Sequence, residues 1–377
     1  MQSILRWSIE NSTPLDATAS DRPPTERKDL DPGVIDLILG KPDAVQMKED
    51  MDIAMDVNRS EDDRISALDH LEMLIEHIDN ANDLEKLKLW EPLQSLLTAE
   101  SSTPEIKTQV LWVIGTALQN NPSAQDVYLS YNPLPTLLSF LDNSPSSSTS
   151  IRSKAIYTLS GLLKHNSPAV KALSNPDVAG WVKLRNALQD PSISVRRKVV
   201  FLLSSLLIPT SPTTSSPAPP TALRIADDPN ASSSTSVTSV DTPNIMTPDQ
   251  QASSSEPIFA NSHAANLQNP SRTSTSSWTL SALHEYGLLD AVISSIVSPI
   301  PYGDDGENVS LDADYEEKAI HVLHAYSVTC RGPFTDSQKG QLKSWIQAEK
   351  QKEGENHLLE KWNMSRDDYA AFFGGLL

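Results

Sequence analysis

The stretch IKTQVLWVIGTALQNN, from Ile106 to Asn121, has two relatives further along the chain, and together they decide the fold class. IRSKAIYTLSGLLKHN begins 45 residues later at Ile151, and VRRKVVFLLSSLLIPT begins a further 44 residues on at Val195. In all three stretches apolar residues recur three and four positions apart, which is the spacing of one buried helix face. The sequence therefore predicts a helical unit that repeats about every 45 residues.

A shorter apolar segment precedes each of these stretches: LWEPLQSLL from Leu89, LPTLLSFL from Leu134 and WVKLRNAL from Trp181. All-helical repeats with a period of about 40–47 residues are typical of armadillo and HEAT arrays, in which each unit buries its apolar face against its neighbours. We therefore predict an all-α fold, an armadillo-like right-handed superhelix. Further repeat units are expected from Arg64 and from Tyr315.

A stretch rich in Ser, Thr and Pro interrupts the repeats between residues 209 and 277 and is too polar to pack a core. We expect a long disordered insertion there, which a surface loop tolerates because closure entropy grows slowly with length. The rest of the chain divides into a flexible N-terminal segment (1–28), N-terminal armadillo-like repeats (29–208), a C-terminal repeat (278–350) and a C-terminal helical tail (351–377).

The composition narrows the classes of partner and compartment. The net charge of −19 argues against binding nucleic acid or an anionic membrane, since both require a basic surface. No run approaches the ~20 apolar residues that span a bilayer, and the N-terminus lacks the apolar core of a secretory signal. The single cysteine, Cys330, rules out an intrachain disulfide and favours a reducing compartment. We therefore expect a cytoplasmic protein with no nucleic-acid or membrane partner.

Motifs of catalysis are missing from the sequence. The chain contains neither a phosphate-binding G-x-x-x-x-G-K-[ST] loop nor a G-x-S-x-G nucleophile elbow. His321, His324 and Cys330 lie near one another in sequence, but they lack further ligands, and we interpret them as structural. The sequence therefore predicts no enzyme activity, no metal site and no cofactor.

One side chain of the opening stretch does not follow its apolar rows. Trp112 shares a row with Thr116, and the aligned positions in the next two stretches are Tyr157 and Phe201. In a stacked array such equivalent positions form a continuous line across the surface. We call Trp112, Tyr157 and Phe201 the aromatic row. With the residues one turn before them they form the predicted partner-binding surface: Thr108, Trp112, Ser153, Tyr157, Arg197 and Phe201. The alternative is that the aromatic side chains only fill gaps between repeats.

The row resembles the third helix of armadillo repeats, in which a Trp and a residue four positions later line the concave groove. Armadillo proteins that bind extended peptides have Asn at the later position, whereas this chain has Thr116, Gly161 and Ser205. The resemblance is therefore one of position. An armadillo adaptor that binds an extended peptide in its concave groove is kept as the alternative function.

The N-terminal ~210 residues resemble the Fes/HspBP-type nucleotide exchange factors of fungi and animals. The segments that agree with that family in order and spacing are MQSILRWSIEN from Met1, DPGVIDLILGKPDAVQMKEDM from Asp31, LDHLEMLIEHIDNANDLEKLKLWEPL from Leu68, VIGTALQNNPSAQ from Val113 and VRRKVVFLLSSLL from Val195. The resemblance implies an armadillo superhelix that binds the nucleotide-binding domain of a cytosolic 70-kDa heat-shock chaperone. Such a protein promotes release of ADP, so that ATP binds and the client is released. We expect it to be a monomer.

The resemblance also directs attention to a turn expected at Asn80, Ala81 and Asn82, within the most family-specific segment. Ala81 is small, as close approach by a partner requires, and Arg197 lies one turn before Phe201 as a candidate charged anchor. Alternatively, Ala81 is an ordinary loop residue and Arg197 pairs with an acidic side chain of its own chain.

Near the N-terminus, Leu5, Trp7 and Ile9 form a short apolar cluster ahead of a polar stretch. The resemblance implies that this segment assists client release, and it assigns that role to the cluster. Alternatively, the cluster belongs to a helix that caps the first repeat, since the ends of repeat arrays need covering.

Overall fold

The computed structural model describes residues 40–143, 147–208, 269–303 and 306–376. This part of the chain is built of helices, and its one extended pairing is an antiparallel bridge between Tyr302 and Asn308. Several predictions fall outside the described residues: the flexible segment 1–28, the client-release residues Leu5, Trp7 and Ile9, and residues 209–268 of the expected insertion.

Long helices alternate with shorter ones along the chain. Before the insertion the described helices are α1 (Asp43–Met55), α2 (Glu61–Ile75), α3 (Ile78–Lys86), α4 (Trp90–Thr98), α5 (Pro104–Leu118), α6 (Pro122–Ser130), α7 (Leu134–Ser139), α8 (Thr149–Leu163), α9 (Ser167–Ala172), α10 (Gly180–Ala187) and α11 (Ile193–Leu207). After it they are α12 (Pro270–Thr273), α13 (Ser276–Glu285), α14 (Leu288–Val297), α15 (Ala313–His324), which continues as one π-helical turn (Ala325–Thr329), α16 (Asp336–Glu353), α17 (Glu355–Lys361) and α18 (Arg366–Gly374).

Matching capping residues mark the repeat boundaries. The hydroxyl oxygens of Thr103 and Ser148 accept backbone N–H hydrogen bonds at the starts of α5 and α8. The side-chain oxygens of Asn121 and Asn166 do the same for the short helices α6 and α9 that follow. Such side chains satisfy amide groups that have no partner within the helix. The same local chemistry, about 45 residues apart, therefore starts equivalent helices in successive repeats.

Five helices stack side by side to form a ladder. Each of α2, α5, α8, α11 and α15 packs against the next, and α1 packs on the free side of α2. The repeat units expected from Arg64 and from Tyr315 are confirmed, since they are the ladder helices α2 and α15. The ladder continues across the insertion, because α15 packs directly on α11.

The aligned apolar positions form the core between the ladder helices. The nine aligned side chains are essentially inaccessible to solvent: Val110, Ile114, Leu118, Ala155, Leu159, Leu163, Val199, Leu203 and Leu207. Trp90 and Trp181, from the shorter helices α4 and α10, are fully buried against the same core. Burial of a large apolar side chain contributes about 1.5–3 kcal/mol. The core therefore runs through the repeats without a break.

The end of the insertion differs from the expectation. Residues 269–277 were expected to be disordered, but α12 and the start of α13 pack against the array, with Arg272, Thr273 and Thr275 buried. The Thr275 hydroxyl donates to the carbonyl oxygen of Leu206 at 2.8 Å, near the end of α11. We call residues 269–277 the strap.

Arg272 is the main polar attachment of the strap. Its guanidinium group forms an ion pair with Asp126 and donates to the side-chain oxygen of Gln125 at 2.8 Å and to the carbonyl oxygen of Pro122 at 3.1 Å. Gln125 in turn donates to the carbonyl oxygen of Gly161 at 2.6 Å. The Ser- and Thr-rich composition does not indicate this role, because it depends on acceptor groups of α6 that lie about 150 residues away in the sequence.

The helices after residue 335 also pack on the ladder. Trp362 is fully buried, and its indole N–H donates to Glu316 of α15 at 2.7 Å. Lys361 lies 2.9 Å from the other oxygen of the same carboxylate. Among the described residues, no single helix is long and apolar enough to cross a membrane; one pair, Ser271–Glu285 with Leu288–Val297, passes that test only jointly, with a bend of 70°.

Candidate functional site

The aromatic row lies at equivalent positions of three ladder helices. Trp112 on α5, Tyr157 on α8 and Phe201 on α11 are each half-buried. The row continues to His321 on α15, which follows Tyr315 by six residues as Phe201 follows the equally buried Val195. In the sequence, His321 stands out only for its metal-like spacing to His324 and Cys330. Its place in the row follows from the register between α11 and α15.

Trp112 holds a cation of its own chain. The ammonium nitrogen of Lys154, on the neighbouring helix α8, lies 3.3 Å from the centroid of the Trp112 ring and 5.6 Å from that of Tyr157. A lysine over an indole face is attracted by the negative face of the ring. Trp112 lies on the more polar face of α5, and its contact with Lys154 partly explains that position.

A hydrogen-bond network runs between the same helices. The Thr116 hydroxyl donates to Glu72 of α2 at 2.6 Å and lies 3.3 Å from the Tyr157 hydroxyl of α8. The Glu72 side chain is nearly enclosed, since the residue is only 7% exposed. Burial raises the pKa of Glu72, whereas the hydrogen bond from Thr116 and the charge of Lys154 act in the opposite direction. Burial likewise raises the pKa of Tyr157.

The row also has a packing role. The Tyr157 ring lies directly over Gly115 of α5, where even a methyl group would collide with it. Gly161 of α8 is similarly close to the backbone of Gly115 and to the side chain of Gln119. The small residues beside the row therefore let adjacent ladder helices approach closely. Tyr157 thus packs between two repeats, as the alternative interpretation of the row describes, while part of each row residue stays accessible.

The polar residues one turn before the row differ in their surroundings. The Thr108 hydroxyl donates to the carbonyl oxygen of Pro104 within its own helix at 2.7 Å. Ser153 is half-buried beside Lys154 on α8. Thr108 and Ser153 thus lie on the same face as the row residues Trp112 and Tyr157, as the spacing predicts.

Arg197 differs from the expectation of a charged anchor for a partner, because its guanidinium group is paired within the chain. Its Nε and Nη2 atoms donate to the two carboxylate oxygens of Asp312 at 2.8 and 2.5 Å, and Nε lies 3.3 Å from Asp314. The alternative, pairing with an acidic side chain of its own chain, is what the structure has. The partner lies 115 residues away, beyond the insertion. No pattern near Arg197 reveals it.

The segment around Ala81 also differs from the expectation of an exposed turn. Asn80, Ala81 and Asn82 lie inside helix α3, and Ala81 is only 2% exposed. Asn80 is half-buried and donates to Asp43 and to the carbonyl oxygen of Leu74, both at 2.8 Å. Asn82 is half-buried too, and its side-chain oxygen is enclosed. Ala81 is small because the helix packs closely there, and its side chain is not exposed for contact with a partner.

The histidines of α15 have structural surroundings. Burial lowers the pKa of His324, whose ring packs against Phe372 and lies 3.8 Å from Asp368. His321 lies 4.0 Å from Glu317. Within residues 40–143, 147–208, 269–303 and 306–376, no group of three or more His, Cys, Asp or Glu side chains is arranged to hold a metal ion.

Acidic and basic side chains meet at one end of the row. Asp69 of α2 and Glu76, directly after that helix, raise the pKa of the buried Glu72, whereas Lys154 of α8 lowers it. Lys154 and Glu72 also belong to this surface, and the sequence alone does not identify them as members. The only local signal was a lysine three residues before an aligned aromatic. Their meeting depends on the stacking register of three helices, which sequence spacing does not determine.

Comparison with known proteins agrees with the resemblance described above. Residues 1–84 match the family model described as nucleotide exchange factor Fes1, and residues 80–216 match the SIL1/FES1/HPBP1 C-terminal domain. The second match contains α5, α8 and α11 and therefore the whole aromatic row.

Curated relatives carry the name Hsp70 nucleotide exchange factor FES1. The protein of Mycosarcoma maydis is 40% identical over 203 residues, covering 51% of this chain and 50% of the relative. That of Cryptococcus neoformans is 42% identical over 191 residues, covering 48% and 50%. That of Coccidioides immitis is 36% identical over 177 residues, covering 46% of this chain and 82% of the relative. The chain thus spans about half the length of the first two relatives.

Solved structures of similar shape are armadillo arrays and engineered proteins. A designed armadillo repeat protein in complex with the peptide (KR)4 superposes with a TM-score of 0.51 at 11% identity, covering 89% of this chain and 100% of that one. An engineered protein superposes with a TM-score of 0.52 at 11% identity, covering 88% and 96%. These likenesses establish the armadillo fold alone. With the family matches over residues 1–216 and the relative covered over 82% of its length, the chain belongs to the Fes1 nucleotide exchange factor family.

Proposed function

We propose that this protein is a nucleotide exchange factor for a cytosolic 70-kDa heat-shock chaperone. It binds the chaperone's nucleotide-binding domain and promotes release of ADP, so that ATP binds and the client leaves. The observation that carries the proposal is the match to relatives named Hsp70 nucleotide exchange factor FES1. The two matching family models together span residues 1–216 and so contain the ladder helices α2, α5, α8 and α11. A cytoplasmic location and a monomeric state are parts of the same proposal.

Such a protein needs no nucleotide site or catalytic group of its own. It must bind the open form of the chaperone domain more tightly than the closed form, and its differential affinity sets how far the equilibrium moves. A shift from 1:99 to 99:1 requires about 5.5 kcal/mol of differential binding. A flexible surface would adapt to both forms and bind them with similar affinity. Rigidity is therefore the property that the fold must supply.

Two features of the described structure favour rigidity. Its apolar core passes through all ladder helices, and polar cross-links join the parts before and after the insertion. Arg196 donates to the carbonyl oxygen of Ile300 at 2.9 Å, and Arg185 donates to that of Tyr286 at 3.1 Å. These arginines bind backbone groups, so the attachment is sensitive to geometry.

The proposed contact surface is the face of the ladder that carries the aromatic row. Trp112, Tyr157 and Phe201 expose apolar area next to the polar Thr108 and Ser153. Partly exposed aromatic residues are favoured at the centres of protein interfaces because they bury much area with little loss of entropy. Ala81 and Arg197 are left out of this surface, since one is buried and the other binds Asp312.

The alternative, an adaptor for extended peptides, has less support. Gly161 and Ser205 stand where such armadillo proteins have Asn, and so does Thr116, which already donates to Glu72. Lys154 covers the face of the Trp112 ring. Both features reduce the groups with which this face could hold a peptide backbone.

The test is stopped-flow release of a fluorescent ADP analogue from the chaperone. We expect the full-length protein to accelerate release, and replacement of Trp112 and Phe201 by Ala to weaken the acceleration at least about tenfold. Trp278→Ala is the matched control, because Trp278 is an exposed tryptophan of α13, a helix that does not belong to the ladder. Unchanged release in the presence of the wild-type protein would overturn the proposed function. Equal effects of all variants would instead overturn the assignment of the surface.

A further inference from the structure

The surroundings of the Lys154 ammonium group have the composition of a binding site for a cation. The Trp112 ring comes from α5, the Tyr157 ring from α8, and the carboxylate of Glu72 from α2. An aromatic face together with a nearby carboxylate is the arrangement that holds lysine and arginine side chains of ligands. Three separate helices supply these groups, so the site exists only in the stacked array.

The site is also held in place without help from Lys154. Thr116 donates to Glu72 and fixes the position of its carboxylate, and Thr116 also lies within hydrogen-bond distance of the Tyr157 hydroxyl. Tyr157 is further fixed by its contact with Gly115. Glu72 is buried, which makes it costly to leave this carboxylate without a nearby positive charge.

We propose that this is a binding site for a basic side chain that the protein fills with its own Lys154. The internal lysine acts as a built-in ligand, and it excludes extended Lys- and Arg-rich peptides from the face of the ladder. The site thus discriminates against such peptides by occupying in advance the groups that would bind them. Because extended basic peptides are excluded, the face with the aromatic row remains available to a folded partner.

The test uses the full-length protein and a fluorescently labelled octapeptide of alternating Lys and Arg. Lys154→Ala should vacate the site, and we expect it to bind the peptide at least about tenfold more tightly than the wild type. Lys164→Ala is the matched control, since it removes the same charge from the end of the same helix segment. Adding Trp112→Leu to Lys154→Ala should abolish the gain. Equal binding by Lys154→Ala and Lys164→Ala, or a gain that survives loss of Trp112, would overturn the proposal.

A second measurement does not depend on the folding of the Lys154 variant. Reductive methylation followed by mass spectrometry reports how fast each lysine reacts. In the wild type we expect Lys154 to react several-fold more slowly than Lys164, and Trp112→Leu to accelerate Lys154 alone. Equal rates for the two lysines in the wild type would contradict an ammonium group held over the ring. Neither experiment includes the chaperone, so this proposal can fail or succeed independently of the proposed exchange function.

Discussion

Arg197 and Asp312 join the two parts of the ladder across the insertion. Two parallel hydrogen bonds of 2.8 and 2.5 Å connect the guanidinium group to the carboxylate. The same carboxylate accepts the backbone N–H of Tyr315 at 2.9 Å and so caps the first turn of α15. One carboxylate thus starts a helix and attaches it to α11. The Arg197 side chain is 37% exposed and that of Asp312 only 11%, so the pair is partly screened by solvent.

Replacing Arg197 should weaken this junction. We expect Arg197→Ala to lower the free energy of unfolding by about 1–2 kcal/mol, between the values for exposed and for buried ion pairs. Chemical denaturation measures the loss, and hydrogen exchange should show faster exchange in α15. In a double-mutant cycle with Asp312→Asn, a coupling energy near zero would contradict the structural role. Normal stability with lost chaperone binding would instead restore Arg197 as a contact.

Low pH should weaken the pair of Arg197 and Asp312, because Asp312 becomes protonated. Burial acts to raise the pKa of Asp312, but the hydrogen bonds from Arg197 and from the Tyr315 amide outweigh it and hold the pKa below its ordinary value of 3.8. A carboxyl group with a lowered pKa stabilises the fold above its unfolded pKa and loses that contribution as the pH falls through the folded value. We expect the stability difference between wild type and Asp312→Asn to be constant above about pH 5 and to shrink below about pH 4. Urea denaturation between pH 3 and 7 measures it, and a difference that does not depend on pH would contradict the prediction.

The parts of the fold that sequence predicts are those that depend on local spacing. Val110 and Val199 are buried because each helix repeats an apolar face, and that face is visible in the sequence. The meeting of Lys154 with Trp112 is different, because it depends on how two helices stack. Likewise, nothing near Arg197 specifies a partner beyond the insertion. The spacing of the sequence is enough to predict the aromatic row. The contacts of Lys154 and Arg197 can be seen only when the helices are stacked.

The interior position of Ala81 leads to a prediction about stability. A large charged side chain cannot be accommodated at a site that is 2% exposed, and burying it costs several kcal/mol. We expect Ala81→Arg to destabilise α3 and the first repeat by at least about 3 kcal/mol, with loss of helical circular dichroism at lower denaturant concentration. Asp79→Arg is the matched control, because Asp79 is an exposed residue of the same helix. A fully stable Ala81→Arg protein that no longer binds the chaperone would support the contact role that the structure does not favour.

Arg272 should be the residue through which the strap contributes most to stability. It is buried and binds the charged Asp126 as well as Gln125 and a backbone carbonyl. Hydrogen bonds that involve charged groups contribute about 1.5–3 kcal/mol, so Arg272→Ala should cost roughly 2 kcal/mol. Ser277→Ala, at an exposed position of the same segment, should have almost no effect. If both variants unfold at the same denaturant concentration as the wild type, the strap does not hold the repeats together.

Two deletions separate the strap from the sequence that precedes it. Replacing residues 212–266 with a flexible linker of about 20 residues keeps Arg272, Thr273 and Thr275 and should change Tm by less than about 2 °C, because loop closure depends weakly on length. Extending the replacement to residue 274 removes Arg272 and Thr273, which are buried in the structure. A loss of about 2 kcal/mol lowers Tm by about 4–8 °C in a domain of 150–250 residues, and the larger deletion should show a decrease of this size. Calorimetry of the two proteins side by side measures the difference. If the shorter deletion already lowers Tm by the full amount, the stabilising contacts lie within residues 212–266. If neither deletion lowers Tm, residues 269–274 of the strap do not stabilise the fold.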